Sequence, residues 1–436
     1  MQVLKFGGTS VGSAERMKAL GPLINNDVPK IVVLSAMSGT TNNLVEIATA
    51  LYAKKNDKAK LLIDNLESKY NEVINKLYTT SSALSKGKGL ISSHFDYLRS
   101  FTIDLFTVNE ERAILAQGEL LSTALFHYYL EEINTHSVLL SALNFMRLDE
   151  KEEPDMKYIE TSLSAELLRH SDTKLFITQG YICRDAFGEI YNLKRGGSDY
   201  TATIIGAAIN AEEIEIWTDI DGMHNNDPRI VEKTHPISEL SFDEAAELAY
   251  FGAKILHPTC ILPAQMRNIP VRLLNTMQPE AKGTLISSKT TNDSIKAVAA
   301  KDGITAINIK SGRMLLAYGF LRAVFEIFER YKTPIDMITT SEVAVSLTID
   351  NTRNIDAIEK ELKEFCKVEI DNDLTIVCIL GSFAAEKQGY AMRIFDALKN
   401  IPIRMISYGG SENNVSVLVD TKLKKDALNA LNKGLF

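Results

Sequence analysis

The chain is short of the residues that staple or anchor a protein. Of its 436 residues, 4 are cysteine and 1 is tryptophan. Cys183, Cys260, Cys366 and Cys378 lie far apart and form no C-x-x-C pair, so they read as buried thiols and exclude a disulfide framework. The 7 histidines are equally scattered, and no protein metal site is expected. No apolar run approaches the ~18 residues of a membrane-spanning helix, so no membrane partner is expected. The amino terminus, MQVLKFGGTS, lacks signal-peptide anatomy. Cations are in the minority, 48 Lys and Arg against 56 Asp and Glu, for a net charge of −8. Nucleic-acid binders usually carry a basic surface, so that partner class is not expected either. What is present is ordinary globular composition, 45% hydrophobic and 24% charged. The length suits about three domains of ~150 residues, or one large and one small.

The order of elements predicts an α/β fold with an open, mostly parallel sheet sandwiched by helices. A strand over 3–6 runs into Gly7-Gly8-Thr9-Ser10-Val11-Gly12, then a helix from about Ser13, then the apolar run 31–36. An unbroken β-branched run fits a strand buried on both faces, and strand, glycine turn, helix, strand is a βαβ unit. From about 41 to 130 the pattern is helical, with breakers only near Lys86-Gly87-Lys88-Gly89. Further strands are expected at 137–140, 175–178, 213–217 and 271–274, and an acidic loop at 149–155. The segment 289–293 reads as a linker.

After the linker the texture changes to short strands at 296–299, 305–310, 335–339, 344–350, 367–371, 375–380, 403–407 and 414–420. Four helices are interspersed, at 319–331, 354–365, 388–399 and 423–433. PIDMIT (334–339) repeats as PIRMIS (402–407), and VSL (345–347) as VSV (415–417). Two βαββαβ copies fit this count. The strand at 296–299 has no place in the first copy and would complete the second, so one copy is inserted within the other.

Glycine-rich turns carry the chemistry. Lys5-Phe6-Gly7-Gly8-Thr9-Ser10 ends a strand and opens a helix, which suits either a phosphate cradle or a tight βα turn with a surface lysine. It matches neither G-x-x-x-x-G-K-[ST] nor G-x-G-x-x-G. Arg195-Gly196-Gly197-Ser198-Asp199 sets a cation, a hydroxyl and a carboxylate before a helix. That suits a carboxylate beside a phosphoryl group, or a helix capped by Ser198 or Asp199. Asp219 and the Asp227-Pro228-Arg229 turn follow a strand, where open α/β sheets bind ligands. Glu119 and Lys254 in isolation are equally consistent with solvated side chains, and His257 before proline with a structural role.

Taken in order, KFGGTSV, LSAMSGTTN, GELLS, RGGSDYTA, TDIDG with DPR, and FGAKILHP resemble the aspartokinases of the amino acid kinase family. The tail resembles tandem ACT domains, and the resemblance covers essentially the whole chain. It implies an amino acid kinase domain over 1–290 and a regulatory α+β region over 296–436. The first ACT-like domain would span about 304–371, the second about 295–303 plus 372–436. The implied activity is ATP-dependent phosphorylation of the β-carboxylate of L-aspartate to 4-phospho-L-aspartate, which opens lysine, threonine and methionine synthesis. The chain ends at Phe436, which on this resemblance implies a monofunctional enzyme. It would be cytoplasmic and a homodimer or higher homo-oligomer through the ACT domains, with Mg2+ arriving on ATP and no bound organic cofactor. Alternatives are a kinase of another carboxylate, such as glutamate or carbamate, and a non-catalytic amino-acid sensor.

Roles follow by motif position. Lys5 would stabilise the transferring phosphoryl group and Asp199 would orient the lysines. Thr41, Glu119, Arg195, Gly196, Gly197 and Ser198 would hold aspartate. Lys5, Phe6, Gly7, Gly8, Ser35, Thr218, Asp219, His224, Arg229, Lys254 and Ile255 would line the nucleotide site, with Gly7 and Gly8 supplying backbone donors. Met314, Phe320, Leu321, Asp336, Thr340, Ser341 and Glu342 would line a pocket for an amino-acid effector, lysine favoured and threonine the alternative. The chain departs from the family pattern at Tyr181, Lys194, His224, and Leu316 to Tyr318.

Overall fold

The structure is a computed structural model that describes residues 1–103, 105–193, 196–252, 256–289, 294–310, 318–383 and 388–436. Its chain divides by internal packing into two compact units: Met1–Met223 with Ser238–Phe242 and Leu256–Thr290, and His224–Ile237 with Asp243–Ile255 and Thr291–Phe436.

The first unit contains strands β1 (Gln2–Phe6), β2 (Lys30–Leu34), β3 (Val138–Leu140), β4 (Leu175–Gln179), β5 (Ile182–Arg184), β6 (Ile190–Asn192), β7 (Ile214–Thr218), β8 (Glu239–Ser241), β9 (Val271–Asn275) and β10 (Thr284–Ser287). Eight form one sheet in the order β3-β4-β2-β1-β7-β9-β10-β8. Neighbours are parallel except β9 with β10. The strands β5 and β6 make a separate hairpin. Every residue of β2 and β4 is buried, as expected for strands covered on both faces. β1 lies between β2 and β7, so the chain order reverses there and a crevice opens at the carboxyl ends.

Helices Thr40–Tyr52, Asn56–Leu77, Ser81–Ser100 and Val108–Glu132 fill the predicted helical stretch. The glycines near 87–89 do not break it. Gly87 lies where a Cβ would come within 2.6 Å of the Tyr78 ring, so it permits close packing inside an unbroken helix. Strands β5, β6, β8 and β10 were not anticipated. They are three or four residues long, too short to show a period.

The second unit holds β11 (Ile295–Lys310), β12 (Ile338–Thr340), β13 (Ala344–Ile349), β14 (Lys367–Gly381), β15 (Met405–Tyr408) and β16 (Asn414–Asp420), in the sheet order β12-β13-β11-β14-β16-β15, all antiparallel. Eight expected strands appear as six because 296–299 joins 305–310 and 367–371 joins 375–380. The joins fall at Gly303 (φ +76°) and Asp373 (φ +58°), where the β11–β14 register shifts. Residues 295–301 pair with 376–381, whereas 304–310 pair with 367–374.

Packing cuts the chain differently from the expected boundary near 290. Segments 224–237 and 243–255 belong with the tail because Val231 joins a core with Ile379, Val417 and Leu428, and Lys296 forms a buried ion pair with Glu244 at 2.7 Å. Among the described residues no helix is long and apolar enough to cross a membrane.

Candidate functional site

A cleft of about 480 Å³ lies in the first unit, lined by residues that follow β1, β2, β4 and β7 and by two helix starts. Lys5 sits one residue before the end of β1, and its Nζ approaches Asp199 Oδ1 at 2.6 Å. Both side chains are nearly buried, and Asp199 Oδ1 is not aligned as a hydrogen-bond acceptor. Breaking a buried pair of this kind by removing one partner is costly, because it leaves an uncompensated buried charge.

Asp199 is placed by the helix Gly197–Ile209. Its N-cap is Gly196 in the left-handed region (φ +77°), so Ser198 and Asp199 are first-turn residues and not the cap. The first-turn N–H groups have no intrahelical acceptors and point to the cleft end of the helix, a standing attraction for anions. A Cβ on Gly196 would lie 2.8 Å from Cys260 Sγ, which donates to the Gly196 carbonyl at 3.4 Å. Burial, with Asp199 nearby, pushes the Cys260 thiol up to about 12, so it stays a neutral donor. Gly180, just after β4, touches the same helix start, where a Cβ would be 2.5 Å from the Ser198 Cβ.

The opposite wall is the loop after β2. Ser35, Ala36, Met37, Ser38, Gly39, Thr41 and Asn42 all line the cleft. Gly39 (φ +80°) starts the helix Thr40–Tyr52 with no side-chain cap and no acidic residue in its first turn. Glu119 reaches this wall from the middle of the helix Val108–Glu132. Gly118 allows the approach, since a Cβ there would meet Ala36 Cβ at 2.8 Å. Glu119 Oε1 accepts from Ala36 N at 3.2 Å, while Oε2 is buried without a hydrogen-bond partner among the described residues. Burial pushes its carboxyl up to about 8 against the opposing pull of the Ala36 N–H. A solvated glutamate is therefore ruled out at this position.

The cleft brings together Lys5, Gly7, Gly8, Ser35, Thr41, Glu119, Gly196, Gly197, Ser198, Asp199 and Thr218. Gly7 corrects one expectation: its N–H donates to Trp217 O at 3.2 Å, so of the two glycines Gly8 alone has its amide unengaged among the described residues. Phe6 is fully buried and stacks on Trp217 at 5.7 Å, so its side chain belongs to the core. Asp219 is exposed and accepts from Thr218 Oγ1 at 3.1 Å. His224 and Arg229 belong to the second unit. There Arg229 is exposed and held by Asp227 at 2.9 and 2.7 Å, and His224 Nδ1 meets Thr234 Oγ1 at 2.9 Å. Arg195, Lys254, Ile255 and Met314 lie outside the described residues. Residues to which motif reading gave no site role also line the cleft, namely Thr9, Ala36, Met37, Ser38, Gly39, Asn42 and Tyr181. The signal for Ser38 to Asn42 was the Gly39 turn inside LSAMSGTTN. Tyr181 stood out only as a departure from the family pattern, and its positive φ (+67°) is not visible in the sequence.

Of the residues expected around an effector, Phe320 begins the helix Phe320–Arg330 and meets Phe365 edge-on at 5.9 Å. Leu321, Thr340, Ser341 and Glu342 are exposed. The Asp336 side chain is 1% exposed and engaged by Lys301 Nζ at 2.8 Å.

Similarity to known proteins agrees with this geometry. The model of the amino acid kinase family matches residues 1–275, and an ACT domain model matches residues 377–435. The lysine-sensitive aspartokinase 3 of Escherichia coli is 33% identical over 100% of this chain and 99% of its own. Aspartokinase 1 of Arabidopsis thaliana, a chloroplastic protein, is 33% identical over 100% of this chain and 80% of its own. The crystal structure of E. coli aspartokinase III with aspartate and ADP superposes with a TM-score of 0.84 at 33% identity, covering 100% of both chains. The same enzyme with lysine and aspartate gives 0.81, covering 100% of this chain and 99% of that one. A parallel sheet with its cleft at the carboxyl ends, a family match over residues 1–275 and full-length relatives at one-third identity lead to one conclusion: the chain belongs to the amino acid kinase family, among the aspartokinases.

Proposed function

We propose that the chain transfers the γ-phosphoryl group of MgATP to the β-carboxylate of L-aspartate, giving 4-phospho-L-aspartate and ADP. The observation that carries this reading is the cleft's charge arrangement. A buried Lys5–Asp199 pair and an uncapped helix start face anions, and an unpaired buried Glu119 oxygen faces a cation. An amino diacid beside a triphosphate presents that combination of groups.

The attacking carboxylate has an ordinary pKa near 3.9 and is already ionised at neutral pH, so no general base is required. A β-carboxylate oxygen bonds to the γ-phosphorus as the bond to the β,γ-bridging oxygen breaks, and ADP leaves with the bonding pair. What the protein supplies is alignment and neutralisation of charge on the phosphoryl oxygens. On this reading Lys5 and the Gly8 N–H meet the transferring group, and Asp199 orients Lys5. Glu119 binds the aspartate ammonium, while Thr41, Arg195, Gly196, Gly197 and Ser198 hold its carboxylates. Ser35, Thr218, Asp219, His224, Arg229, Lys254 and Ile255 belong to the nucleotide side. Mg2+ enters as part of the nucleotide.

The same reading divides the chain into a catalytic domain over 1–290 and a regulatory region over 296–436 made of two interleaved ACT-like domains. The split pairing of β11 and β14 supports the interleaving. It assigns feedback inhibition by an amino acid, lysine first, to the pocket around Asp336, and makes the enzyme a cytoplasmic homodimer. A coupled ADP-release assay with aspartate and glutamate tests the substrate, and turnover on glutamate alone would overturn it. Lys5→Ala should lower kcat roughly 100-fold or more, as for loss of a transition-state charge contact. Near wild-type turnover in that variant would remove Lys5 from the role.

A further inference from the structure

The turn that follows β9, Asn275-Thr276-Met277-Gln278, belongs to none of the glycine-rich motifs. Asn275 fixes it locally: its Oδ1 accepts from Met277 N at 2.9 Å, and its carbonyl accepts from Gln278 N at 3.2 Å. β9 runs parallel to β7 with Asn275 beside Thr218, so Thr276 is the first residue past the strand. The Thr276 N–H donates to Thr218 O at 2.8 Å, and the Thr276 hydroxyl donates to the same carbonyl at 3.1 Å. Thr276 Oγ1 also lies 2.6 Å from Ser10 Oγ, in the glycine turn after β1. A hydroxyl has one proton to give, and Thr276 gives its own to a carbonyl that can only accept. The proton in the 2.6 Å contact therefore comes from Ser10. The result is a directed chain from Ser10 through Thr276 to Thr218, joining the ends of β1, β7 and β9.

This chain completes the attachment of the glycine turn. Gly7 N donates to Trp217 O at 3.2 Å, Gly8 O accepts from Ser38 N at 3.1 Å, and Ser10 N closes the turn on Gly7 O at 2.9 Å. Thr9 O accepts from Arg16 Nη1 at 2.7 Å, but that bond is exposed and water competes for it. Ser10 is fully buried, so its hydroxyl depends on Thr276. Inside this frame the Gly8 N–H is unengaged among the described residues. Gly8, Thr9 and Thr218 line the cleft, whereas Ser10 and Thr276 stand outside its lining among the described residues.

We infer that Thr276 is a positioning residue whose hydroxyl, through Ser10, sets the glycine turn against the Thr218 wall so that the Gly8 N–H meets the phosphates of the nucleotide. This rests on the nucleotide side of the proposed reaction, and it adds a residue that touches neither substrate. Alignment is what such a tether supplies, and a misplacement of ~1 Å can cost about 100-fold in rate.

The test is a cycle of variants in the full chain. Thr276→Val keeps the shape and the backbone bond to Thr218 O but leaves the buried Ser10 hydroxyl without an acceptor, which should lower the melting temperature by about 2–6 °C. Calorimetric titration with the magnesium complex of a non-hydrolysable ATP analogue should show Kd weakened about 3- to 10-fold, and kcat/KM for MgATP should fall about 10- to 50-fold with KM for aspartate within about threefold. Thr276→Ser keeps the hydroxyl and should restore nucleotide affinity and turnover to within about threefold of wild type. Ser10→Ala combined with Thr276→Val removes both partners, so the melting temperature should return to within about 2 °C of wild type while the nucleotide defect persists. Affinity and turnover that recover with the melting temperature in the double variant would show a purely structural contact and overturn the inference. So would wild-type nucleotide affinity and turnover in Thr276→Val, or Thr276→Ser as impaired as Thr276→Val. If Thr276→Val alone does not fold, the double variant carries the same test. Phosphorylation of another acid with the same nucleotide defect would sink the aspartate assignment and leave the inference standing, and aspartate turnover without the defect would do the reverse.

Discussion

Glu119 shows what burial in the cleft does to one side chain. Its carboxyl is raised from an ordinary 4.5 to about 8 by burial. The folded chain therefore keeps a proton that the unfolded chain releases above pH 4.5. Stability from the neutral form is full below that value and is lost as pH rises towards about 8. Glu119→Gln cannot ionise, so its melting temperature should fall less between pH 6 and 8.5 than that of wild type, by about 1–3 °C, read by differential scanning calorimetry. If Glu119 binds the aspartate ammonium as proposed, the same variant lacks that carboxylate, so KM for aspartate should rise about 10- to 100-fold, the worth of a hydrogen bond to a charged group. In wild type that KM should fall as pH rises towards about 8. A flat KM from pH 6.5 to 8.5 would break the assignment of Glu119 to the ammonium. Sequence offered Glu119 only through GELLS, since neither its burial nor its unpaired oxygen is visible in one dimension. Lys5 and Asp199 were legible as charged residues at glycine turns, but their 2.6 Å contact required the fold.

At the scale of elements, glycines decide how close helices come. In the helix Ser81–Ser100, Gly89 faces open space and Gly87 faces the Tyr78 ring. That ring is fixed by its hydroxyl, which donates to Leu125 O at 2.8 Å. Gly89→Ala should stabilise the protein by up to about 1 kcal/mol through helix propensity and chain entropy. Gly87→Ala should destabilise it by about 1–3 kcal/mol through overpacking. Urea denaturation of the two variants separates these effects, and equal shifts of one sign would contradict the packing described. Gly180→Ala belongs to the same class, because its Cβ would press on Ser198 at the start of the helix that carries Asp199. Turnover should fall about 10- to 100-fold, measured on protein whose far-ultraviolet circular dichroism is unchanged. Long elements were readable because their apolar periodicity is strong. The hairpin β5–β6, the edge strand β8 and its neighbour β10 were not, because three or four residues show no period and the places of β8 and β10 are set by partners that sequence does not mark.

At the scale of the whole chain, the second unit contains more than the tail. Val231 is in its core, Asn226 Nδ2 donates to Leu428 O at 3.2 Å, and Glu244 is buried against Lys296. A chain stopped at residue 290 would strip these segments of their partners. It should lose catalysis and solubility together, where a separable inhibitory tail would leave a deregulated active kinase. Expression of 1–290 with the ADP-release assay distinguishes the outcomes. Amino-acid order alone determined the parallel α/β class, the tandem repeat in the tail and most of the cleft-lining motifs, because hydrophobic period and glycine turns are local properties written along the chain. Only the tertiary structure decided that Gly7 is spent on the sheet, that Glu119 is dry and half-satisfied, and that 224–237 and 243–255 pack with the tail. Burial and partner choice depend on which distant surfaces meet, and no local pattern carries that information.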